Sequence, residues 1–168
     1  VTRVRGDVLP RMTVGGIVTS KETSIGHNRV AGPDLQSRFW SSSSFLLWVA
    51  KVWDSDHAAP DGSTVAGQAE LMLQNDQYIF EITRTVIGEA FDPALGFVPR
   101  PDHKRWGGQA GLRPRFEKSS WARQFFLTLG ANHIQGMDGE KQSHFRRLTA
   151  SLDFQSGDDA KVALVERF

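Results

Sequence analysis

Three carboxylates, Glu70, Glu81 and Asp153, fall on the polar side of alternating segments. Two acids held across a cleft are what glycoside cleavage requires. No spacing brings any two of these together, and charge on the wall of a sheet is ordinarily solvated or ion-paired, with Arg113 and Arg147 as the partners. The histidines are His27, His57, His103, His133 and His144; no two have ligand spacing on one element, and three fall in long connections. Asp54, Asp56 and Asp61 around His57 offer the D-x-D spacing and nearby glycine that can bind calcium, without the full ligand ladder. A polar loop is the simpler reading. The serine run Ser41–Ser44 lacks the G-x-S-x-G context of an activated nucleophile and reads as a turn. Gly15-Gly16 and Gly107-Gly108 do not sit between a strand and a helix, as a phosphate loop must. They suit crowded positions in curved strands. The sequence therefore predicts no catalytic residue, no cofactor, no metal site and no enzyme.

What the sequence does carry is period two. Ser63–Gln74 sets Val65, Gly67, Ala69, Leu71 and Leu73 against Ala66, Gln68, Glu70, Met72 and Gln74. Gln77–Gly88 sets Tyr78, Phe80, Ile82, Arg84 and Val86 against Glu81, Thr83 and Thr85. Ser120–Ile134 and Gln142–Ser156 repeat the pattern, the latter with Arg147, Thr149, Ser151, Asp153 and Gln155 consecutive on one face. Weaker segments are Thr2–Val8, Met12–Ser20, Asn28–Trp40, Phe45–Asp54 and Trp106–Phe116. Phe45–Asp54 is apolar on both faces, as in a strand covered twice or one whose inner face meets a plug. Pro33 and Pro114 predict a bulge or a strand end, because proline removes a ladder donor.

The connections alternate. Short ones fall at Leu9-Pro10-Arg11, Ser41–Ser44, Asn75-Asp76, Glu117–Ser119 and Gly157-Asp158-Asp159; long ones at Lys21–His27, Ser55–Gly62, Glu89–Arg105 and Gln135–Lys141. Tight turns on one side and longer loops on the other are the habit of a meander across a bilayer. The expected fold is all-β: an antiparallel up-and-down meander of about ten strands, a transmembrane β-barrel or part of one, with residues 1–168 forming one domain or a fragment of a larger barrel.

Composition agrees. The chain has 20 basic and 19 acidic residues and no cysteine. No basic block suggests nucleic acid, and disulfide or zinc–thiolate chemistry is excluded. No stretch approaches the ~20 apolar residues of a membrane helix, whereas a barrel strand needs only ~9–11, alternately apolar. Trp40, Trp53, Trp106, Trp121 and Phe116 lie near strand ends, where girdles of amphipathic rings belong. The chain opens at Val1 without a leader and ends at Phe168, where Glu166 breaks an apolar alternation; this reads as a processed product or a piece of something longer.

The long connection carries a motif. Gly88 to Arg100 resembles the G-x-x-F-x-P-x-x-G-F-V-x-R signature of an uncharacterised bacterial family, here with Phe91, Pro93, Gly96, Phe97, Val98, Pro99 and Arg100. Val14-Gly15-Gly16-Ile17-Val18-Thr19, preceded by Arg5-Gly6-Asp7-Val8-Leu9, and Asn28-Arg29-Val30-Ala31-Gly32-Pro33-Asp34 resemble the same family in order and spacing. The resemblance implies an outer-membrane barrel that follows a domain similar to family 9 carbohydrate-binding modules, and it carries no catalytic residues to transfer. Three aromatic or branched residues beside Pro93, Pro99 and Pro101 suggest a loop that packs on itself or folds inward; long structureless loops are uncommon unless functional.

The functional expectation is an outer-membrane protein of structural, anchoring or pore-type role. Leu71, Leu73, Phe80, Leu127, Leu129, Leu152 and Phe154 would face lipid, and Gln68, Glu70, Glu81, Gln124, Asn132, Arg147, Asp153 and Gln155 the lumen. Its partners would be the lipid bilayer and a carbohydrate-recognising domain or other membrane subunits. Alternatives are a soluble β-barrel or sandwich binding a small apolar or sugar ligand, a glycan-related hydrolase, and a subunit of a larger membrane assembly.

Overall fold

The computed structural model describes residues 1–40, 42–55, 59–60 and 62–168. Among them are ten strands and no helix: β1 Thr2–Leu9, β2 Met12–Glu22, β3 His27–Phe39, β4 Ser43–Asp54, β5 Val65–Gln74, β6 Tyr78–Ile87, β7 His103–Leu112, β8 Ala122–Gln135, β9 Lys141–Phe154 and β10 Asp159–Arg167. Every strand pairs antiparallel with its sequence neighbours in a single sheet ordered β1 to β10. The sheet is open: β1 and β10 are edges and do not pair with each other. From β2 to β9 the strands run 10 to 14 residues. That is about twice the usual length in globular proteins.

Opposed residues of an antiparallel pair share a face, so register fixes the two sides of the sheet. One row of register partners crosses Met12, Ser37, Phe45, Leu71, Ile82, Gly108, Ala131 and Arg146. It leaves the turn end at the first residue of β2 and meets β9 eight residues short of that strand's last residue, Phe154. Eight residues at ~3.3 Å against seven strand spacings at ~4.8 Å tilt the strands by about 38° from the normal to the sheet's turn edge. A closed barrel requires a tilt of that size.

The connections correct the expected alternation in part. Residues 55–64 and 88–102 are long. Residues 23–26 and 136–140 are tight, because β2 and β3 stay paired through Lys21↔Asn28 and Glu22↔His27, and β8 and β9 stay paired to Gln135↔Lys141. Polar side chains do not end a strand whose end is wet. Pro33 interrupts the ladder to β4 between Ala31 and Asp34 without shifting it. Pro114 lies just beyond β7, where Arg115 bridges Gln124 and the turn closes through Ser119 N–H to the Phe116 carbonyl at 3.3 Å. The serine run is not simply a turn. Ser43 and Ser44 begin β4, and buried Ser43 accepts the Gln74 N–H at 3.1 Å; Ser41 lies outside the described residues.

Candidate functional site: the polar face and its folded-in loop

Gln68 and Glu70 on β5, Glu81 on β6, Gln124 and Asn132 on β8, and Arg147 and Asp153 on β9 share one face by register. Gln155 does not belong with them. It sits past the end of β9, in the turn, donating to the Ser119 carbonyl at 3.3 Å. The expected ion partners also differ. Glu81 accepts from Gln109 Nε2 at 2.9 Å, Glu70 from Gln68 Nε2 at 3.3 Å, and Asp153 pairs with Arg123 at 3.5 Å. Arg113 is used up by the Asn75 carbonyl. Arg147 lies over the Phe145 ring, its guanidinium 5.8 Å from the centroid.

A groove of about 330 Å³ crosses this face at β6–β9. Glycines at Gly107 and Gly130 make its floor, and Glu81, Arg105, Asn132 and Arg147 stand around it. Arg105 lies over Gly107 and donates to Asn132 at 3.1 Å. At the other end of the sheet, Asp34 is almost buried between Arg3 at 3.0 Å and Arg5 at 3.2 Å. Gly15 makes that room, since a Cβ there would meet Arg5 Cγ at 2.8 Å and Asp34 Oδ2 at 2.9 Å.

The loop 88–102 folds over the loop end of the polar face. Phe91 is buried with Val30, Ala50, Val52 and Ala66, and Val98 packs against that cluster with Trp48 and Ile87. Register places Val30, Trp48, Ala50, Val52, Ala66 and Ile87 on the same face as Gln68. This explains why β4 is apolar on both sides: its polar-face half lies under the loop. Asn28 ties the loop down, donating to the Asp92 carbonyl at 2.9 Å and accepting the Ala94 N–H at 3.0 Å. Gly96 N–H closes a turn onto the Pro93 carbonyl at 2.9 Å. Arg100 donates to Gln142, and Asp102 accepts the Met137 N–H at 3.2 Å. Phe97 takes no part in this packing and is 87% exposed, and Pro99 leads the chain toward Arg100.

Residues named for possible chemistry are scattered. His27 and His103 begin β3 and β7 rather than lying in loops, and His133 faces His144 across β8 and β9. Among the described residues no three His, Asp or Glu gather as metal ligands. Asp54 ends β4 and accepts from Asn28 at 2.9 Å; Asp56, His57 and Asp61 lie outside the described residues.

The opposite face is apolar and open. Val4, Val18, Val49, Phe80, Leu129 and Leu164 are each at least 39% exposed, and all lie on it. Trp40 and Trp121 stand exposed at the turn end, Trp53 and Trp106 toward the loop end. No helix among the described residues is long and apolar enough to cross a membrane. Compared with protein-family models, curated proteins and solved structures, the chain matches none.

Proposed function

We propose that the chain is the wall, or part of the wall, of a β-barrel in a bacterial outer membrane, with the polar face lining the lumen and the loop 88–102 narrowing the mouth. One observation carries this: large apolar side chains stand in the open on one face of strands from β1 to β10. Nine strand spacings make that surface about 43 Å wide, far beyond the apolar patches of water-soluble monomers. Strand length, the ~38° stagger and tryptophans at both rims support the same reading. Its role is structural or pore-type: a framework for passage or for anchoring a carbohydrate-recognising domain.

Leu129 and Thr128 test it. They are adjacent on β8 and point to opposite faces, and Leu129 is 54% exposed. If water covered the apolar face, arginine at so exposed a site would change stability by only ~0.5 kcal/mol. In a bilayer Leu129→Arg costs ~2–4 kcal/mol and Thr128→Arg far less. Denaturant titration of both variants folded into phosphatidylcholine vesicles measures the difference; equal costs overturn the reading.

A further inference from the structure

On the apolar face charge is confined to the loop-side half. Two acids there are already engaged: Glu22 by Arg29 at 3.0 Å, and Glu166 by Arg146 at 3.5 Å and His144 at 3.1 Å. Among the described residues Arg84 has neither an acid nor a neutral hydrogen-bond partner. Register puts it on this face between Ala69 and Trp106. Its guanidinium lies 4.7 Å from the centroid of the Trp106 ring, and its Nη1 atom is buried with no hydrogen-bond partner. A guanidinium nitrogen without an acceptor is costly, so an anionic group within reach of Arg84 would be firmly held.

Two apolar clefts meet at the Trp106 ring beneath it, and Arg84 itself lines the smaller. One, about 360 Å³, runs over Gly108 between Phe80, Ile82, Trp106 and Leu129 and ends at His133 and Arg146. The other, about 230 Å³, lies between Phe45, Leu71, Ile82 and Arg84. Gly108 deepens the first: any Cβ there would strike the Glu81 carbonyl. A fixed cation above two greasy clefts matches a molecule with an anionic head and hydrocarbon tails.

We infer that Arg84, seated on Trp106, holds the phosphate of an anionic lipid whose chains lie along the two clefts. The inference rests on the membrane reading, since it needs this face in a bilayer. Arginine suits the task because its fork donates two parallel hydrogen bonds to phosphate oxygens. Trp106 serves as the platform that fixes the guanidinium at the interface.

The test uses the full chain folded in detergent and exposed to phosphatidylglycerol or phosphatidylcholine, with retained lipid counted by native mass spectrometry. Phosphatidylglycerol is expected to be retained, with a preference of roughly five-fold from the one arginine. Arg84→Gln loses that preference, while Arg146→Gln, whose guanidinium is already paired with Glu166, and Arg105→Gln on the polar face keep it. Equal retention of both lipids by the unaltered chain, or an unchanged preference in Arg84→Gln, overturns the site. Displacement of the lipid by inorganic phosphate also overturns it, because a bare anion site would then suffice. Flotation with pure phosphatidylcholine vesicles separates the two ideas. Failure to float sinks the membrane reading; flotation without head-group preference sinks only the lipid site.

Discussion

Asn28 on β3 reaches sixty-four residues along the chain to hold Asp92, its Nδ2 donating to the Asp92 carbonyl at 2.9 Å. With the Ala94 N–H accepted at 3.0 Å, this one amide clamps the first half of the long loop against the sheet. Both bonds are exposed, and a third, to Asp54 Oδ2 at 2.9 Å, is part-buried, so Asn28→Ala should cost about 2 kcal/mol of global stability. Its local effect is larger. Amide exchange of Ala94 should quicken by about ten-fold or more, while the β8–β9 amides stay unchanged. Unchanged exchange at Ala94 would show that Phe91 alone holds the loop.

Phe91 carries the complementary test. It is 7% exposed among Val30, Ala50, Val52 and Ala66. Truncation to alanine empties a packed site and should cost ~3–5 kcal/mol in denaturant titration. Phe97→Ala, at an exposed ring in the same loop, should stay within ~0.5 kcal/mol. Comparable losses at the two positions would contradict the packing described.

Asp34 joins β1 to the rest of the sheet through Arg3 and Arg5. Its carboxylate is close to buried, but both arginines are about half exposed, and solvent screens the pair accordingly. Asp34→Asn should therefore lower stability by about 1 kcal/mol and be felt first as faster amide exchange in β1. Gly15→Val should do more, since its side chain would intrude on Arg5 and Asp34 at once. Slower or unchanged exchange in β1 for both variants would refute the tether.

Much of this architecture is written in alternation. In β5, β6, β8 and β9 the period-two pattern assigns each side chain to its face, because one slip of register would move Glu81 or Arg147 onto the leucine-bearing face. Aromatic residues beside prolines in 88–102 likewise announce a loop with a partner. Loop lengths were less legible: Lys21 and Glu22 look like loop residues yet continue the ladder, since a strand end in water tolerates charge. Gln155 kept the alternation of β9 on paper but falls past the strand's end. Ion partners could not be read either, because Asp153 meets Arg123 through an irregular register at Ala122/Gln124. The unmatched nitrogen of Arg84 depends on packing across three strands, which no local pattern encodes.

The folded-in loop is lopsided. Phe91 and Val98 sit over β3–β6, leaving the glycine floor at Gly107 and Gly130 uncovered. In a closed barrel the entrance would therefore be off-centre, a crescent rather than a ring. A solute would be steered along the β7–β9 wall, past Arg105 and Arg147, before it met anything else.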